Sequence, residues 1–112
     1  MENLNKLELE LLNRISDKYP IVKSHIPLLK VKSRQVTGVG MYVNFGYTVD
    51  IVNKLDILNS SLSTNEIIQI DGLRNGLNYE VDITDGKINF IEIVSNGESW
   101  DGFITNYSFL PF

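Results

Sequence analysis

The stretch Glu66–Val94 reads EIIQIDGLRNGLNYEVDITDGKINFIEIV and carries two turn dipeptides, Asn75-Gly76 and Asp85-Gly86. Both favour a two-residue type I′ turn, because each central position of that turn needs positive φ. Two such turns predict a register. Ile68 then faces Ile83, which faces Ile88, and Ile70 faces Val81, which faces Phe90. Two apolar rows cross three strands on one face, each pair contributing about 0.2–1 kcal/mol relative to alanine. Turn chemistry and side-chain alternation agree, which predicts a β-meander here.

The other face of the meander is polar. The predicted register sets Asp71 opposite Glu80 and lines up Gln69, Asp82 and Asn89. Like charges directly opposite are destabilising. One reading is an acidic patch that awaits a basic partner. The other is a solvated face balanced by Lys87 or a lysine of the first hairpin. Asp71 and Glu80 also have the residue types of a paired-carboxylate acid/base site, but such a pair needs a cleft and a positioned substrate. Ile91 and Ile93 make a second row, which needs a helix, a partner or another copy to cover it.

Upstream, Leu4, Leu7, Leu11, Leu12 and Ile15 recur at helical spacing and predict an amphipathic helix over Asn3–Lys18, capped by Asn3 or Asn5. Pro20 ends it and suits the first position of a second short helix, which Pro27 limits to about Pro20–His25. Val31–Thr37 and Met41–Thr48 read as strands, punctuated by Gly38 and Gly40. In the second, Met41, Val43, Phe45 and Tyr47 make one apolar face. Asn53–Asn65 is polar and aperiodic, and reads as a long connection with a helical turn near Leu55–Leu58. The expected fold is α+β: one domain over residues 1–112, with two N-terminal helices packed on a mainly antiparallel sheet of about five strands that ends in a C-terminal meander.

The chain has 112 residues, 43% of them hydrophobic and 21% charged, which suits a domain that folds on its own core. It has no cysteine, which excludes disulfides, Cys-ligated metals and a thiol nucleophile. No apolar run is long enough to span a membrane. Met1–Leu12 lacks the basic start and apolar block of a secretion signal. A cytoplasmic location is therefore expected. The net charge is −4, unevenly spread. Residues 21–40 carry Lys23, Lys30, Lys32 and Arg34 and no acid, while residues 41–112 are strongly acidic. That distribution disfavours nucleic-acid backbones and favours basic partners. The short basic stretch reads as a balance to the acidic part or as stems over apolar surface.

The candidate chemical residues are few. His25 is the only histidine, so no multi-histidine metal site exists, and a structural role is expected. Gly38-Val39-Gly40 is too short for a phosphate-binding loop and reads as a turn or bulge. Asp71, Asp82 and Asp85 lack the spacing of a calcium loop. No cofactor or metal is implied. Trp100 is the only tryptophan; it either packs the terminal segment on the core or anchors an interface. Tyr42 and Tyr79 carry the same two readings.

Tyr19-Pro20, the segment Lys30–Gly40, the run Ile70-Asp71-Gly72-Leu73-Arg74-Asn75-Gly76 and the late Gly97–Trp100 together resemble a pattern shared by small bacterial proteins. Small acidic domains of this type are similar to immunity proteins of polymorphic-toxin systems, including contact-dependent growth inhibition. The resemblance implies tight binding of one toxin domain and obstruction of its active site or a neighbouring surface. It carries no family-wide functional residues. The expected function is non-catalytic binding of a basic cognate toxin domain, with Asp71, Glu80, Asp82, Tyr42 and Trp100 as contact residues. The alternative is a small-ligand or scaffold domain with a site between helices and sheet, lined by Tyr42, Phe45 or Trp100.

Overall fold

A computed structural model describes residues 1–111. The fold is α+β, as expected, with more strands than the sequence suggests. Helix α1 spans Lys6–Lys18, and a 3₁₀ segment spans Pro20–Leu28. The strands are β1 (Leu29–Val36), β2 (Gly40–Tyr47), β3 (Ser60–Leu62), β4 (Ile67–Ile70), β5 (Leu77–Thr84), β6 (Lys87–Ser95) and β7 (Tyr107–Leu110). They form one antiparallel sheet in the order β1-β2-β6-β5-β4-β7, with β3 also paired to β5.

The helix begins two to three residues later than its leucine spacing suggests, because the cap is Asn5. Its side chain accepts from the Glu8 N–H, and Glu8 Oε1 accepts from the Asn5 N–H, each at 2.8 Å. This reciprocal capping box satisfies two otherwise orphaned donors. The second helix continues past His25 to Leu28 with Pro27 inside it. The hydrogen bonds of a 3₁₀ segment have poorer geometry than those of an α-helix, so the missing proline N–H costs less there and does not stop it.

The meander is half as predicted. Asp85 (φ 52°) and Gly86 (φ 69°) both have positive φ, and Ile83 pairs with Ile88. At the other dipeptide only Gly76 has positive φ, so no type I′ turn forms there. The chain reverses earlier, at Asp71-Gly72, where Gly72 has φ 92° and the Leu73 N–H donates to Ile70 O at 3.3 Å. Residues 74–76 are then drawn aside. The Glu98 carboxylate accepts from the N–H groups of Arg74 (3.0 Å) and Asn75 (2.8 Å), and Asn75 Nδ2 donates to Asn96 O at 3.2 Å. In consequence Ile68 pairs with Leu77 rather than Ile83. Most of the β5 edge that β4 was to occupy is taken by β3 instead, with Ser61 opposite Asp82 and Leu62 opposite Val81.

A second departure lies in β6. The register shifts by one residue at Asn89, so Val81 faces Ile91, not Phe90. Strict alternation from Ile88 would point Glu92 into the core and leave Ile91 and Ile93 outside. An uncompensated buried carboxylate costs several kcal/mol, and each isoleucine left in water forgoes roughly 1.5–3 kcal/mol. The bulge resolves both: Ile91 and Ile93 are buried, and Glu92 reaches the opposite face. Ile91 and Ile93 are thus covered within the chain.

No helical turn forms at Leu55–Leu58; Leu55 is instead a buried anchor whose N–H donates to Gly86 O at 2.8 Å. The polar connection hides β3, and β7 follows the meander as an edge strand, so the meander is not C-terminal. Both edge strands of the sheet reach α1 through their side chains. From β1, Arg34 binds Glu8 through Nε (2.8 Å) and Nη2 (2.9 Å), and from β7 Phe109 lies under the Arg14 guanidinium at 3.7 Å. Leu7, Leu11, Leu12 and Ile15 of α1, with Val22 and Ile26, close the core over the inward residues of every long strand.

Candidate functional site

Because α1 and the 3₁₀ segment cover one face of the sheet, the outward side chains of β1, β2, β6, β5 and β3 form a continuous second face. The strand register sets them in rows. One row runs Gln35, Tyr42, Glu92, Glu80, and the next runs Ser33, Asn44, Phe90, Asp82, Ser61. Tyr42 and Phe90 meet diagonally, edge to face, with ring centroids 5.4 Å apart. An aromatic pair thus sits at the centre, with three carboxylates on its β5–β6 side and amides on its β1–β2 side.

Glu80 and Glu92 are directly opposite across an antiparallel pair, the arrangement that destabilises a sheet. Local polar groups hold these carboxylates without neutralising them. Ser61 Oγ donates to Glu80 at 2.9 Å, Thr84 Oγ1 donates to Asp82 at 2.6 Å, and Asn89 Nδ2 donates to Asp82 at 3.2 Å. The hydrogen bond to Glu92 is the main cause that raises the Tyr42 phenol above its ordinary pKa. Among the described residues, the salt bridges join Arg14 to Glu10 and Glu66, Arg34 to Glu2 and Glu8, and Lys54 to Asp85, so none neutralises Glu80, Asp82 or Glu92. Lys87, opposite Thr84 at the hairpin end of this face, is not among those pairs.

Of the residues singled out in the sequence, Tyr42, Glu80 and Asp82 share this face. Asp71 does not. It lies in the turn that follows β4, and β3 rather than β4 takes the β5 edge beside Glu80, so the Asp71–Glu80 carboxylate pair is not assembled; Glu80 is opposed instead by Glu92 of β6. Gln69 is on β4, opposite Ser108, and not beside Asp82. Trp100 is buried, its backbone N–H donating to Gly38 O at 2.8 Å; it packs the terminal segment on the core, and it also lines a groove with Asp71. Tyr79 is buried and shares a 2.6 Å hydrogen bond with Thr64 Oγ1. Glu92 and Phe90 belong to the face and were missed. Their signal was present: an uncorrected alternation in β6 puts the one acid of that apolar strand inside.

His25 is buried and structural in its bonding. Nε2 lies 2.8 Å from Asn53 O and Nδ1 lies 2.9 Å from Tyr47 Oη, which also accepts from the Ile88 N–H at 2.7 Å. A carbonyl can only accept, so Nε2 donates to Asn53 O, while Nδ1 and Tyr47 Oη share the second hydrogen bond. The ring thereby ties the 3₁₀ segment to β2 and to the 49–59 loop. A ligand pocket shared by Tyr42 and Phe45 is ruled out by geometry, since Phe45 points into the core and Tyr42 to the other face. Among the described residues, no three carboxylates or imidazoles are placed to hold a metal ion, and no helix is long and apolar enough to cross a membrane.

Comparison with family models, with curated proteins and with solved structures returns no match for the chain.

Proposed function

We propose that the chain is a non-catalytic binding protein of the cytoplasm, an immunity-type inhibitor that engages a basic toxin domain with the outer face of its sheet. The observation that supports this reading is the directly opposed pair Glu80–Glu92, flanked by Asp82, with no salt bridge to any of the three among the described residues. A cationic surface that covers this pair would relieve the repulsion present in the free protein. Complementary charge speeds encounter and selects partners more than it adds affinity. Tyr42 and Phe90 supply the apolar centre, and tyrosine and phenylalanine are enriched in the cores of interfaces. A standard interface takes about 800 Å² from each partner, within reach of a five-strand face.

The test uses the protein encoded next to this chain's gene, on the upstream side, as the immobilised probe in surface plasmon resonance. Saturable binding is expected, with an association rate that falls steeply as salt rises. The triple variant Glu80→Gln, Asp82→Asn, Glu92→Gln should associate about tenfold more slowly at low salt. No complex, together with no rescue of growth on co-expression, removes the reading.

A further inference from the structure

The loop Asn96–Asn106 joins β6 to β7 and is tied down along its length. Ser95 Oγ donates to Glu98 O, the Ser95 N–H donates to Val39 O at 2.8 Å, and Trp100 is bonded to Gly38 as above. The Phe103 N–H donates to Asp101 Oδ1 at 2.9 Å. Gly102 has φ 80°, and a Cβ there would stand 2.8 Å from Val36 Cγ2. Loop and β1–β2 hairpin tip therefore form one fixed unit. That unit holds large apolar side chains in water: Phe103 is 70% exposed, Val36 54% and Val39 51%. Isolated exposed apolar residues are ordinary, but these sit on a segment held by the hydrogen bonds above, with Gly102, next to Phe103, against Val36.

Beside them runs a groove of about 530 Å³. Trp100 and Leu73 give it an apolar floor, Phe103 forms a wall, and Asp71 and Asp101 stand at its rim with no lysine or arginine among the lining residues. Neither aspartate takes part in a salt bridge among the described residues. We infer that this groove docks a peptide segment that presents a bulky apolar side chain flanked by lysine or arginine. The apolar floor favours an apolar side chain at the centre, since placing a charge against it costs desolvation. The two carboxylates attract cationic flanks and repel acidic ones. The site lies apart from the outer sheet face: Tyr42, Glu80 and Glu92 do not line it.

Trp100 is the sole tryptophan, so its emission reports on the groove directly. The probe is the capped peptide KKLLKK, with EELLEE and KKGGKK as controls, titrated into the full chain. A saturable change in emission is expected for KKLLKK, at least about tenfold tighter than for either control. Phe103→Ala, at an exposed position, should weaken it by a similar factor, and Asp71→Asn should weaken it by less. The outer-face variant Glu80→Gln, Glu92→Gln should bind the peptide like the parent, which separates this site from the toxin-binding proposal. Absence of a saturable change, an equal response to KKGGKK, or full binding by Phe103→Ala overturns the inference.

Discussion

Replacing Glu92 by glutamine should stabilise the protein, an unusual outcome for a substitution in the middle of a central strand. Glu92 and Glu80 are cross-strand partners on the open face. Their Cβ atoms stand about 5 Å apart in such a pair, and their carboxylates at roughly 6 Å. At that distance, and at the dielectric constant of water, the repulsion is about 0.7 kcal/mol, within the range of about 0.2–1 kcal/mol for cross-strand pairs. Glutamine keeps the side-chain length and an oxygen that accepts hydrogen bonds, so only the charge is lost. For a domain of this size, thermal unfolding should shift upward by about 3 °C. The gain should be largest at low salt and shrink as the screening length falls below about 10 Å. The assay is thermal unfolding followed by circular dichroism, at low and high ionic strength, for Glu80→Gln, Glu92→Gln and the double variant. Each single variant should show the gain, and the double should add little, since the first neutralisation already removes the pair. A loss of stability, a gain indifferent to salt, or fully additive gains would refute the reasoning.

Three further outcomes test the fold. Arg34→Met removes both hydrogen bonds to the buried Glu8 carboxylate while it keeps the stem's packing; about 2–3 kcal/mol should be lost in denaturant titration, below the full buried-pair value because Arg34 is partly exposed. Gly86→Ala places a Cβ 2.7 Å from Lys54 Cβ at φ 69°, and the strain of a left-handed non-glycine residue should cost about 1–2 kcal/mol in the same titration. Burial pushes the Tyr79 phenol up to about 12. A raised folded pKa means full stability below the unfolded value near pH 10 and progressive loss as pH rises toward 12; Tyr79→Phe should flatten that loss in alkaline unfolding curves.

The N-terminal helix, the α+β class and the Asp85-Gly86 hairpin were legible because each rests on local physics. Helical leucine spacing, a proline stop and a dipeptide that accepts positive φ act within a few residues of one another. Asn75-Gly76 has the same local preference, yet a carboxylate more than twenty residues away, Glu98, captures the turn's N–H groups and moves the reversal to Asp71-Gly72. β3 is not legible in the sequence because Ser60, Ser61 and Leu62 have no strand pattern of their own; the free edge of β5 makes them a strand.

The candidate face divides in the same way. Alternation in β2 and β5 was enough to turn Tyr42, Glu80 and Asp82 outward, away from the apolar side chains of their own strands. Alternation could not supply Glu92 and Phe90, because β6 breaks its own period at Asn89 to bury Ile91 and Ile93. Sequence alone determined which residues prefer a helix, a strand or a turn. Tertiary structure decided which acids oppose each other, since a one-residue bulge inverts the facing of everything beyond it, and the bulge is selected by the core on the far side of the sheet.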